Sequence, residues 1–209
     1  MGVTVNYSAI PPSSTLYARL QREKLFAILM ISLFSQGCGI FNFFEEIEPE
    51  EVNELLEYVI EEHQDIFGSD LEADQIIAEF RTELRLTRKA YPGIEGRIAF
   101  LEKSSNEIME RLTQELARRK VENADEIVVK IMFGDQSFAP ILLPESESLG
   151  LISRESVREG ARILRQIEPE TLFAKDEGWE GWCLNHFEHW RDLYLSADER
   201  NEEILVGVF

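Results

Sequence analysis

The sequence predicts an α+β domain: a small, mostly antiparallel sheet with N-terminal, central and C-terminal strands, packed with several helices. Val3, Val5, Tyr7 and Ala9 alternate with polar residues, the period-two pattern of a half-buried strand. Glu126 to Phe133 is rich in β-branched residues and has strong strand character. Ile204 to Phe209 is apolar on both faces, as in an interior strand. Helical patterns fill the long intervals between these three runs, which is the order expected of α+β architecture.

Taken in order, Pro11-Pro12-Ser13-Ser14 ends the first strand and offers a cap for a helix reaching about Leu33. Pro49 suits the first turn of a second helix, where its missing N–H costs nothing. There Val52, Leu55, Leu56, Val59, Ile60 and His63 share one face, and Glu50, Glu54, Glu57 and Glu61 line the opposite one. Ser69 with Glu72 forms a capping box for a third helix, with Leu71, Ile76, Ile77, Phe80 and Leu84 as its apolar positions. Tyr91-Pro92-Gly93 punctuates the chain before a helical stretch to about Arg119. After the central strand comes a loop through Pro140 and Pro144, then a helix capped by Ser153 that carries Val157, Ala161, Leu164 and Ile167. A short turn follows Pro169, and the last helix begins near Glu180. No repeat, low-complexity segment or Gly/Ser linker divides the 209 residues, so one domain over residues 1–209 is expected, with an acidic helical middle at about 45–120.

The formal net charge is −19, and most of it comes from one stretch. No lysine or arginine lies between Lys24 and Arg81, while fourteen carboxylates fall there, from Glu45 to Glu79. Such a balance argues against nucleic acid, whose binding depends on neutralising phosphates, and against an anionic membrane surface. It favours a basic protein partner, or no charged partner at all. From Arg81 to Lys130 eleven basic residues face nine acidic ones, so these helices are expected to compensate part of the acidic run in space.

Cys38 and Cys183 match no zinc or redox spacing and read as reduced, buried residues of a cytoplasmic protein. Arg19, Arg22 and Lys24 ahead of the apolar run Leu25–Phe34, with Gly37-Cys38 after it, resemble a lipoprotein signal. The basic region lies too deep in the chain, however, and Ser35 and Gln36 are poor residues ahead of a processed cysteine. The apolar run is also too short to span a bilayer, so a buried helix is expected.

Residues 179–190 hold all three tryptophans and two of the three histidines. Trp182, Cys183, His186, His189 and Trp190 are the candidate pocket residues. On a helix, three ligands at three-residue steps drift around the axis, so Cys183, His186 and His189 cannot all converge on one ion. No HExxH motif, Glu-x-x-His pair, Gly-x-Ser-x-Gly elbow or Walker lysine occurs, and neither a metal nor another cofactor is expected. His63, on an apolar helix face, reads as a buried neutral side chain. The Glu50–Glu61 stripe lacks the glycine turn of a calcium loop and reads as a solvated face.

Several segments together resemble the YfbM-like family of bacterial proteins of unknown function. They are the opening Met1-Gly2-Val3, then Phe133-Gly134-Asp135-Gln136-Ser137, and Leu151-Ile152-Ser153 with Val157. Ile167 through Phe173 and the aromatic stretch His186-Phe187 to Tyr194 complete the set. The resemblance covers the first dozen residues and roughly Ile131 to the end. It implies a compact α+β domain in a soluble bacterial protein, and no activity. Where the family carries Trp-x-x-Leu-His ahead of the glycine, this chain reads Ile127 to Met132, so no role tied to that histidine carries over.

The missing catalytic motifs and the acidic run favour a non-enzymatic interaction protein that binds a basic protein through the face of Glu50, Glu54, Glu57 and Glu61. The alternative is a small-ligand-binding protein or enzyme with a cleft lined by Trp182, His186 and Trp190. A domain whose acidity serves only solubility is the third reading.

Overall fold

The computed structural model describes residues 4–35, 70–92, 96–137 and 148–209. The predicted acidic helix with Glu50, Glu54, Glu57 and Glu61, together with Cys38, His63 and Ser69, lies outside them. Its strands are β1 (Val5–Ile10), β2 (Ile98–Phe100), β3 (Gln136–Ser137), β4 (Ser148–Ile152) and β5 (Glu203–Val208). They form one antiparallel sheet in the order β2-β1-β5-β4-β3. Its centre pairs the first strand with the last, from Val5 opposite Val208 to Ile10 opposite Glu203.

Seven α-helices occur among the described residues and cover both faces of the sheet: an α+β fold in three layers. Val5, Tyr7, Ala9, Ile204 and Val206 point to one side, and Leu149, Leu151, Leu205 and Ile10 to the other. The first side meets α4 (Ser105–Arg118), α5 (Ala124–Phe133), α6 (Arg154–Leu164) and α7 (Trp179–Arg200). The second meets α1 (Thr15–Arg22), α2 (Lys24–Ser35) and α3 (Asp70–Ala90). The half-buried reading of β1 is therefore corrected: every residue of the strand is buried, and Asn6, on the face of α2, donates to the Phe34 carbonyl. The apolar run 25–34 is a buried helix as expected. Among the described residues no helix is long and apolar enough to cross a membrane.

The central strand expected at Glu126–Phe133 is a helix, α5. Its β-branched residues misled because tertiary packing outweighs a weak propensity. Ala124, Val128, Ile131 and Met132 recur at helical spacing and are the buried positions. Asp125 and Glu126 fill the first turn and Lys130 the last, each matching the helix dipole. The sheet position belongs instead to β4, and β2 interrupts the stretch read as helical before Arg119. The first helix is two, broken at Glu23, whose backbone is extended. Ser14 and Ser153 cap their helices as expected, through bonds from the backbone N–H groups of Tyr17 and Ser156.

Two buried tyrosines hold the end of α5 against the sheet. Tyr7 Oη donates to the Met132 carbonyl at 3.0 Å, and Tyr194 Oη donates to that of Ile131. Gly134 then turns the chain with φ +95°, and a Cβ there would lie 2.7 Å from the Leu151 carbonyl oxygen, so only glycine fits. Asp135, immediately after, accepts bonds from Ser153 N, Ser153 Oγ and Ser156 Oγ. Burial opposes its ionisation, but these bonds prevail and hold the carboxyl below its usual range.

Where β1 ends and β5 begins, Arg97 Nη1 meets Glu202 Oε1 at 2.5 Å, with side chains only 7% and 4% exposed. Removing one partner of a buried pair leaves the other charge uncompensated. Glu202→Ala should therefore lower stability by about 3–5 kcal/mol, read as a lower urea midpoint at unchanged slope. On α4, Glu115 accepts from Arg118 at 2.7 Å and Arg119 at 2.6 Å, and these bonds hold its pKa at about 2. Since that is below the unfolded value of about 4.3, its stabilisation is complete above that value and is lost as pH falls through the folded one. Glu115→Gln should be less stable at neutral pH and show a shallower acid decline in that window, measured by denaturation across pH.

Candidate functional site

The aromatic helix α7 starts at a tightly built turn. Asp176 Oδ1 accepts from the N–H groups of Gly178 at 2.8 Å and Gly181 at 2.9 Å, satisfying donors that no N-cap side chain serves. A Cβ at Gly181 would fall 1.8 Å from the Asp176 carbonyl oxygen, so this approach requires glycine. Glu180 ties the same turn to α4: Oε1 meets Arg111 Nη2 at 2.7 Å, while Arg111 Nε reaches Glu107 at 2.8 Å.

From that anchor the helix distributes the five candidate residues over different surroundings. Cys183 and Trp190 are fully buried. Trp190 lies among Tyr7, Phe187 and Tyr194, with its ring centroid 5.2 Å from that of Tyr194, edge-on. Burial, followed by the Glu107 and Glu180 carboxylates, pushes the Cys183 thiol up to about 11. It stays protonated at neutral pH and is no nucleophile.

Trp182 and His186 are half-buried and lie together, joined by Trp179, which is 49% exposed. The Trp179 and Trp182 rings stack at 4.8 Å, and Trp182 lies 4.1 Å from the His186 ring. His186 Nδ1 is 2.9 Å from Ser104 Oγ, whose own proton goes to the Leu101 carbonyl at 2.6 Å. A hydroxyl has one proton to give, so Nδ1 carries the hydrogen and Nε2 the lone pair. Burial lowers the pKa of this histidine and keeps the ring neutral at pH 7.

His189 is exposed and borders a separate groove with Asp192 and Ser196. The five residues thus form no common cleft. Among the described residues no group of three or more His, Cys, Asp or Glu side chains could hold a metal ion.

A second constellation escaped the sequence reading. Arg97, Arg154 and Arg200 converge with Glu202 where β1 ends and β5 begins. The available signal was Arg200-Asn201-Glu202-Glu203, four polar residues at a helix–strand junction. Glu202 and Glu203 are nevertheless 3% and 7% exposed.

With its thiol protonated and buried, Cys183 should resist iodoacetamide in the native protein at neutral pH and react once the chain is unfolded. Mass spectrometry of the Cys183 peptide before and after denaturation gives the comparison.

Comparison with known protein families, with curated proteins and with solved structures finds no match.

Proposed function

We propose that the protein acts by binding a basic protein partner, without catalysing a reaction on it. The observation that carries this reading is the solvent-facing stack of Trp179 on Trp182 and His186. Exposed tryptophan is costly to leave in water and is enriched among residues that dominate interfaces. Carboxylates surround the stack in sequence and in space. Asp176, Glu177 and Glu180 flank Trp179, and Glu102 acts electrostatically on His186. An indole face with carboxylates beside it suits a lysine or arginine side chain, through cation–π attraction and charge together.

The acidic run supports the same partner class. Ten carboxylates lie from Glu45 to Asp65 with no lysine or arginine among them. Several arginines expected to compensate it are engaged elsewhere: Arg111 with Glu107 and Glu180, Arg118 and Arg119 with Glu115, and Arg97 with Glu202. Glu50, Glu54, Glu57 and Glu61 would then steer a basic partner and hasten encounter.

The reading includes a cytoplasmic location, which the free thiol of Cys183 supports. It also retains kinship with YfbM-like proteins. Support for that kinship lies in how the resembling segments meet, with Asp135 bonded to Ser153 and Ser156, and Val157 buried in the same core as Tyr194.

The test is capture from native-host lysate followed by affinity measurement with the purified partner. Trp179→Ala should weaken binding by about 2 kcal/mol or more, mainly through faster dissociation. Replacing Glu50, Glu54, Glu57 and Glu61 by glutamine should slow association and flatten its salt dependence. A partner bound equally by wild type and both variants would sink the reading.

A further inference from the structure

Where β1 runs out and β5 begins, an open surface cleft of about 590 Å³ lies between the strand ends. Small-molecule sites commonly measure roughly 300–1,000 Å³. Its charged wall consists of the guanidinium groups of Arg97, Arg154 and Arg200 with the single carboxylate of Glu202. Pro11, Pro12 and Tyr91 form an apolar lip, which the Tyr91 hydroxyl joins to Ser13 Oγ at 2.8 Å. We propose that this cleft binds a small organic oxyanion: a carboxylate or phosphate carried on an apolar body. The proposal is independent of the partner surface on the first turn of α7.

The charges in the wall do not cancel. Glu202 accepts from Arg97 through Oε1 at 2.5 Å and from Arg200 through Oε2 at 2.8 Å, so one carboxylate serves two guanidinium groups. A network built only to close the fold is complete with those three residues. Arg154 is surplus to it. Its side chain is 52% exposed, and its contact with Glu203 Oε1 is 3.6 Å, too long for a hydrogen bond. Its donors meet no hydrogen-bond acceptor among the described residues, and a guanidinium fork matches two oxygens of a carboxylate or phosphate.

Arg200 is oriented for the same ligand. Nε bonds Glu202 and Nη2 bonds the Gly96 carbonyl at 2.7 Å, which fixes the plane of the group. Nη1 makes no hydrogen bond among the described residues. Arg97, buried and bonded to Glu202, contributes positive charge from beneath rather than an open donor. An oxyanion that draws Arg154 inward gives up only the long contact to Glu203, and the Tyr17 phenol also sits beside that carboxylate. The lip of Pro11, Pro12 and Tyr91 favours a ligand with an apolar portion over a bare inorganic ion.

Calorimetric titration of the full chain with phenyl phosphate, benzoate and inorganic phosphate tests this, with phenol as the uncharged control. We expect saturable binding of phenyl phosphate or benzoate, about tenfold or more tighter than inorganic phosphate, and no binding of phenol. Whichever aryl anion binds more tightly identifies the oxyanion as phosphate or carboxylate. Arg154→Gln should weaken binding about tenfold or more, and its exposure means the fold survives, which thermal unfolding checks. Arg165→Gln, which alters an exposed pair with Asp198, should leave binding unchanged. The proposal is overturned if none of the three anions saturates at concentrations on the order of 10 mM. It is equally overturned if Arg154→Gln binds as the wild type does, or if phenol binds as tightly as phenyl phosphate.

Discussion

The pairing of β1 with β5 is the constraint on which the other elements depend. These strands lie at opposite ends of the described chain, yet six residues of each are in register at the centre of the sheet. Closing so long a loop costs conformational entropy that rises only slowly with length. Burial on both faces offsets it: Val5, Tyr7 and Ala9 serve one core, and Ile10 and Leu205 the other. Once this pair forms, β2 and β4 can add only at its two edges, and every helix must cover one face or the other. The arginine cleft is a product of the same pairing, because Pro11 and Glu202 are the residues just beyond the two strand ends.

Local signals in the sequence were legible wherever one residue's chemistry decides the backbone. Ser14 and Ser153 accept from the N–H groups that helix starts leave unpaired, and Pro169 opens a short 3-10 turn. The final strand was legible because a run apolar on both faces has nowhere to lie but the interior. Residues 126–133 were misread since Val128, Val129 and Ile131 satisfy strand propensity and a helical face equally well. Tertiary packing makes the choice, burying Ala124, Val128, Ile131 and Met132, and Tyr7 and Tyr194 donate to the carbonyls at the helix end. Both lie more than sixty residues away in sequence, beyond any local window.

The candidate site was legible in part, for a related reason. Clustering of aromatic residues in 179–190 correctly located a distinctive helix, but period alone does not say which face is covered. Cys183 and Trp190 are fully buried while Trp182 and His186 are half-buried at the core's edge. Arg97 and Glu202 are a harder case. Buried charge has no hydropathy signature, and their partnership spans 105 positions along the chain.

The two ends of α7 lie in opposite electrostatic settings. In a chain of net charge −19 the long-range field repels anions and attracts cations. The Trp179 stack, flanked by carboxylates, works with that field. The arginine cleft works against it and must rely on contact, since screening confines its positive potential to about a Debye length, roughly 8–10 Å. Trp179 and Arg200 are the first and last residues of one 22-residue helix. At about 1.5 Å per residue they lie some 30 Å apart. A ligand held at Arg154 and Arg200 therefore neither occludes nor neutralises the aromatic stack. The helix thus fixes the distance between an aromatic stack beside carboxylates and a cluster of arginines.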